Sequence, residues 1–239
     1  MEATTEAQLP RPKLILLDVY ETLLDLGEIQ NRVNDMLKSR RGYHVWFELF
    51  LQYCFADNAT GLFHPFADIA KATLAMAANR LGIHLDENKQ EEVVWLLRHA
   101  PLKPNVQEGL SQLNDQGYIL AALTNAPQSI VADRMEPTGL VSYFEFVLST
   151  EQIRKYKPAL EVYQWALKKA GVSPGEVLLV SAHSWDIMGA ATAGLQTAYL
   201  GQDKLFYALA PEPNYRATDL IDLAAQLNML YSSIPSTHY

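Results

Sequence analysis

The sequence predicts an α/β protein: a doubly wound, parallel-sheet, Rossmann-like core that carries an inserted helical cap. Three observations lead there. Short continuous apolar runs recur along the chain, as at residues 13–18 (KLILLD), 118–124 (YILAALT) and 177–181 (VLLVS), and such runs suit strands buried on both faces of a parallel sheet. Helical stretches separate the later runs, which is the rhythm of βαβ units. One segment, residues 27–100, breaks that rhythm with apolar residues at helical spacing and no convincing strand.

In chain order, residues 1–12 hold two glutamates and no apolar h-region, so a frayed tail is expected there and not a secretory signal. The first strand, 13–18, ends on Asp18. The core is expected over 13–26 and 101–239 and the cap over 27–100. Within the cap, Val45, Leu49 and Tyr53 mark one helix, Ile69, Thr73, Leu74 and Ala77 a second, and residues 93–97 a third. An insert placed directly after the first strand lies over the carboxyl ends of the strands, where open α/β sheets bind ligands. Further strands are expected at 118–124, 144–148, 177–181 and 196–199, with helices at 128–135, 160–170 and 185–193 forming right-handed crossovers. A loop at 210–214 and a last helix at 219–230 complete the chain.

Composition narrows the function. With 239 residues, 49% hydrophobic and 19% charged, the chain is long enough for one large domain or a core with one insertion. Nineteen basic against 27 acidic side chains give a net charge of −8, which lacks the electrostatic footprint of a nucleic-acid binder. No apolar run approaches membrane-spanning length. A small-molecule partner is therefore expected. The single cysteine, Cys54, excludes an internal disulfide, suits a reducing cytoplasm and is expected to be buried and inert.

The most informative string is residues 16–24, LLDVYETLL, where a buried strand delivers Asp18 at its tip and Thr22 follows four residues on. An acid ending a strand is by itself an ordinary turn or cap residue. Three further pieces raise its value: Thr124 and Asn125 end a second strand, Lys157 precedes Pro158, and SAHSWD (181–186) ends another. This ordered set, spanning the chain from Lys13 on, resembles the haloacid dehalogenase superfamily: a nucleophilic Asp with Thr four later, then Ser/Thr, then Lys, then an acidic loop.

Chemistry then separates subgroups within that resemblance. Phosphatase members carry a second Asp two residues after the nucleophile, because a departing alkoxide must be protonated. Here that position is Tyr20. A phenol with pKa near ~10 is a poor proton donor at neutral pH, whereas a departing halide needs no proton. DVYETL, LTNAPQS, YKPALEVY and VSAHSWD are accordingly similar to the type II L-2-haloacid dehalogenases, which use no metal or other cofactor and are commonly homodimers. A Mg²⁺-dependent phosphatase of the same fold and a non-catalytic homologue are the alternatives.

The resemblance implies that Asp18 displaces halide from the 2-carbon of a short acid, leaving an aspartyl ester that water hydrolyses. Nucleophile and substrate carboxylate repel by roughly 4 kcal/mol at about 4 Å and an effective dielectric of about 20. It further implies that Lys157 is the counter-charge, that Thr22, Thr124, Ser181 and Tyr163 orient the carboxylates, and that Asn125 contacts the halide. Backbone N–H groups of Val19 and Tyr20 are expected to hold the substrate carboxylate.

Three positions depart from the family. Glu21 stands where Gly is usual, and His183 where Asn is usual. The first and fourth strands are neighbours in this fold, so the two side chains are expected to meet beside Asp18, Glu21 orienting His183 to take a proton from the hydrolytic water. Asp186 then chiefly holds Lys157, although in ordinary members that position is itself a candidate water activator. Thirdly, the usual halide-binding Arg falls on Phe47. Asn125 with the electropositive edges of Phe47, Phe66 and Trp185 is expected to form the halide cradle, with Leu51 as a further wall. Arg40 and Arg41 are expected to be a solvated helix end rather than a substitute.

Overall fold

The computed structural model describes residues 9–135 and 138–232, so the first eight residues of the expected tail lie outside the described residues. The run predicted as the first strand forms β1 (Leu14–Leu17), and all four residues are buried. The chain then passes through α1 (Gly27–Met36), α2 (Gly42–Thr60), α3 (Phe66–Arg80) and α4 (Glu87–His99) before α5 (Val106–Asp115). β2 (Ile119–Thr124), α6 (Gln128–Met135), β3 (Phe146–Ser149) and α7 (Leu160–Ala170) follow. β4 (Val177–Ser181), α8 (Ser184–Thr192), β5 (Gln196–Tyr199), β6 (Tyr215–Arg216) and α9 (Leu220–Tyr231) complete it.

The strands form one sheet in the order β3-β2-β1-β4-β5-β6, every pairing parallel. Helices cover both faces, which is why the strands read as unbroken apolar runs. Within β1 the period of two divides the core: Ile15 and Leu17 join one cluster with Leu110 and Leu223, while Leu14 and Leu16 join another with Val162 and Ala190. Leu17 lies level with Ala122 of β2 and with Val180 of β4. The carboxyl ends of the three central strands therefore deliver Asp18, Thr124 and Ser181 to one edge, at the point where the chain switches direction across the sheet. The four-helix insert α1–α4 follows directly on that edge.

Several expectations shift in detail. The third strand begins two residues later than 144, because residues Leu140–Tyr143 form a 3₁₀ turn and the Glu145 N–H already bonds the Leu120 carbonyl. The last helix starts at Leu220, with Asp219 as its cap accepting from the Asp222 N–H. α1, α5 and the two-residue β6 had no counterpart among the expected elements. Tyr53 is 40% exposed, and the buried face of α2 is carried by Trp46, Leu49, Phe50 and Cys54. α2 exposes His44, Glu48 and Gln52 along one stripe, but apolar residues fill its remaining sides, so periodicity alone does not select which of them faces the cleft. Cys54 is fully buried, and burial pushes its thiol pKa up, so it stays protonated. Among the described residues no helix is long and apolar enough to cross a membrane.

Candidate active site

Asp18 leaves the tip of β1 only 5% exposed, with its backbone N–H still bonded to the Val180 carbonyl. The chain turns at once: the N–H groups of Leu23 and Leu24 both return to the Val19 carbonyl. Within this turn Glu21 has φ 61°, a left-handed conformation that glycine adopts freely and a glutamate only with strain of order 1–3 kcal/mol. Thr22 buckles the turn to the next strand, donating to Asp18 Oδ2 at 2.9 Å and accepting from the Ala182 N–H at 2.9 Å.

Lys157 reaches Asp18 from below the cleft. Its side chain is fully buried, and its ammonium donates to Asp18 Oδ1 (2.6 Å), Asp186 Oδ2 (2.8 Å) and the Leu123 carbonyl (3.0 Å), which uses all three protons. The ammonium thus already joins the two carboxylates that a divalent cation would need. Asn125 holds the lysine backbone, its Oδ1 accepting from the Lys157 N–H at 2.7 Å and from the Thr150 hydroxyl at 3.3 Å. The Lys157–Pro158 peptide is cis.

Asp186 stands in the first turn of α8 with its other oxygen accepting from the Tyr163 hydroxyl at 2.5 Å. α7 and α8 approach closely enough for this because Gly189 intervenes: a Cβ there would lie 2.6 Å from the Tyr163 hydroxyl. Tyr163 is fully buried behind Asp186 and outside the cleft lining. The carboxylate that Tyr163 orients in this structure is that of Asp186. Ser181 is likewise fully buried, 3.5 Å from Asp18 Oδ2 and accepting from the His183 N–H at 3.1 Å. Thr124 accepts from the Ala126 N–H at 3.1 Å and lines the cleft beside Asn125. Val19 is buried with its side chain in the core.

Because β1 and β4 are adjacent, Glu21 and His183 meet beside Asp18. His183 Nε2 lies 2.7 Å from Glu21 Oε2 and Nδ1 lies 3.2 Å from Asp18 Oδ2. Burial works against charge on this imidazole, but hydrogen bonds and attraction from Asp18 and Glu21 outweigh it and push its pKa up to about 9. Burial likewise opposes ionisation of Asp18, and Lys157 and His183 overcome it to hold the carboxyl well below the usual carboxylate range. Glu21 is lowered too, His183 and Tyr43 outweighing its desolvation. Lys157 is raised, since Asp18 and Asp186 overcome the cost of burying the ammonium. The site thus sets the carboxyl side chains of Asp18, Glu21 and Asp186 around the Lys157 ammonium and the His183 imidazole.

Above this charged floor the walls are apolar. The cleft is lined by Asp18, Tyr20, Phe47, Leu51, Phe66, Thr124, Asn125, Lys157, His183 and Trp185, all named from the sequence, together with Leu26, Trp46, Phe50 and Leu97. Trp46 and Phe50 sit beside and one turn beyond Phe47 on α2, a spacing that the sequence shows; Leu26 and Leu97 had no such signal. Trp185 stacks on the His183 imidazole at 4.8 Å and Phe47 lies 6.3 Å from it. Tyr20 stacks on Phe66 and gives its proton to the Leu97 carbonyl at 2.8 Å. Burial drives that phenol's pKa far up, so it is an even poorer acid than the residue type implies. Arg40 and Arg41 lie outside this lining, in the turn before α2.

A family model described as haloacid dehalogenase-like hydrolase matches residues 15–200. The chain is 28% identical over 213 residues to an (S)-2-haloacid dehalogenase of Pseudomonas sp. (strain YL), covering 87% of this chain and 91% of that protein. It is 27% identical over 192 residues to (S)-2-haloacid dehalogenase 4A of Burkholderia cepacia, covering 78% and 82%. Among solved structures, the L-2-haloacid dehalogenase of Xanthobacter autotrophicus with chloropropionic acid covalently bound superposes with a TM-score of 0.79 at 22% identity, covering 91% of this chain and 98% of that one.

Proposed function

The chain belongs to the haloacid dehalogenase-like hydrolases, and from that premise we propose that it converts short-chain L-2-haloacids to 2-hydroxyacids through an ester on Asp18. The observation that carries this reading is an ionised carboxylate at the base of an aromatic cleft whose neighbouring side chain, Tyr20, is a phenol engaged elsewhere and not a proton donor. Such a site suits a leaving group that departs as a stable anion.

In the first step an Asp18 oxygen forms a bond to C2 as the carbon–halogen bond breaks, and the halide takes the electron pair. Lys157 and the His183 imidazolium offset the approach of substrate and nucleophile, both anions. The N–H groups of Val19 and Tyr20 hold the substrate carboxylate. Asn125 and the edges of Phe47, Phe66 and Trp185 receive the halide, and Leu51 closes the wall. Thr22 and Ser181 keep Asp18 and its turn in place, Thr124 orients the substrate carboxylate from the cleft wall, and Tyr163 and Asp186 hold Lys157.

Esterification neutralises Asp18. That removes the partner whose hydrogen bond and charge do most to keep His183 protonated against its burial, so its proton affinity falls and the proton leaves with the halide. Neutral His183, oriented by Glu21, then takes a proton from water as the hydroxide attacks the Asp18 carbonyl carbon. Collapse of the tetrahedral intermediate breaks the bond to the substrate oxygen, which takes the proton from His183, and the proton left on the Asp18 carboxyl passes to the His183 imidazole, restoring carboxylate and imidazolium. The sum is haloacid plus water giving hydroxyacid, halide and one proton.

The helices α1–α4, over residues 27–100, act as the cap domain that walls the cleft. Their exposed apolar residues, Tyr53, Leu62 and Leu81 among them, support a homodimer; sedimentation giving the 26.8 kDa monomer mass at all concentrations would rule that out. Location in the cytoplasm fits the lone buried thiol. The central test is one turnover in ¹⁸O water with 2-bromo- and 2-chloropropanoate. One label is expected on the Asp18 peptide, and faster ester formation from the bromo acid, because an aromatic cradle favours the less hydrated halide. Label found only in the hydroxyacid would refute the covalent route.

A further inference from the structure

The corner between α1 and α2 is built around Tyr43. Its backbone N–H donates to the Asn34 side chain of α1 at 2.9 Å. The preceding Gly42 lets the corner close, since a Cβ there would lie 2.8 Å from the Leu37 Cβ. The ring is 3% exposed, stacked on Phe47 at 5.5 Å and set edgewise to Trp46 at 5.8 Å. A phenylalanine would make all of these contacts. The hydroxyl adds a desolvation cost that packing does not require, and among the described residues its partner is Glu21 Oε1 at 3.3 Å.

We propose that Tyr43 is a positioning residue for ester hydrolysis: its hydroxyl fixes the Glu21 carboxylate, so that the Glu21–His183 pair is complete only while α2 is seated on the sheet. This rests on the water-activating role proposed above for that pair. Glu21 sits on a strained turn and its side chain is one-third exposed, so the backbone alone leaves its rotamer open. His183 engages Oε2 and Tyr43 engages Oε1, and two bonds to different oxygens define the plane of the carboxylate. Lys103 is the other charge that bears on Glu21, while His183 faces Asp18 as well. Burial pushes the Tyr43 phenol up, so it remains a donor throughout the working pH range. The donor comes from the insert and the acceptor from the sheet, which makes the second step, and not the first, sensitive to how the two are seated.

The test is rapid-quench kinetics with 2-bromopropanoate across pH, following bromide and the Asp18 ester separately. Tyr43→Phe is expected to leave ester formation within about twofold and to slow ester hydrolysis about tenfold, the scale of one hydrogen bond to a charged group. The acid limb of hydrolysis should move to higher pH, because a Glu21 without that donor makes the pair bind its proton more tightly. In a Glu21→Gln background the same substitution should add nothing. Hydrolysis by Tyr43→Phe at the wild-type rate and pH profile, with Glu21→Gln slow, would overturn the inference alone. Loss that persists in the Glu21→Gln background would do so too. Glu21→Gln itself hydrolysing the ester normally would remove both this inference and the role of the pair.

Discussion

Asp18→Asn eliminates halide release from 2-bromopropanoate, with kcat falling by on the order of 10⁴-fold or more. A neutral amide lacks the nucleophilic oxygen, and it also leaves the Lys157 ammonium with one carboxylate, Asp186, in place of two. The fold tolerates the change because Asn matches Asp in shape, Lys157 keeps its bonds to Asp186 and the Leu123 carbonyl, and Thr22 still bridges to Ala182. Unchanged circular dichroism with bromide release at background rate is the expected pair of results. Bromide release at even one-tenth of the wild-type rate would mean that another group, or water, performs the displacement.

His183→Ala weighs far more on the second half-reaction than on the first, which at saturating substrate still has the Lys157 ammonium as counter-charge. Bromide appears as a single burst, the Asp18 ester accumulates to near stoichiometry, and steady-state turnover falls by roughly 10²–10⁴-fold, the worth of a positioned base. The protein carrying His183 should also show pH behaviour that the variant lacks. With an imidazolium of pKa about 9 against about 6.5 unfolded, the histidine contributes stability that is full below pH ~6.5 and is lost as pH rises through about 9. Substrate capture follows the same limb, since loss of that proton leaves the carboxyl side chains of Asp18, Glu21 and Asp186 facing one ammonium. Steady-state turnover by His183→Ala equal to the wild type, with no trapped ester, would return water activation to Asp186 or to solvent.

These expectations join residues that the sequence scatters over 165 positions between Asp18 and His183. Their types were legible: a carboxylate ending an apolar run, a lysine before proline, a polar loop after the fourth run. The meeting of Glu21 with His183 was legible as well, because parallel neighbours bring successive loops to one edge. Tyr43 was not. It lies in a stretch of aromatic residues whose periodicity marks a helix without marking a face, and a hydroxyl directed at a carboxylate leaves no trace in hydropathy.

By itself, then, the order of apolar runs determined the parallel sheet, the inserted helices and the edge where the chemistry gathers, because strand burial and crossover handedness are properties of local pattern. Tertiary structure alone decided which side of α2 faces the cleft, that Tyr163 and Ser181 are buried against the Asp186 and Asp18 carboxyl groups, and that Asp18 and Glu21 together raise the pKa of His183. Those outcomes depend on distances of 2.5–3.5 Å between segments remote in sequence. Only the packing of helix on sheet sets such distances, and the balance of desolvation against pairing, which fixes the charge on each group, follows from them.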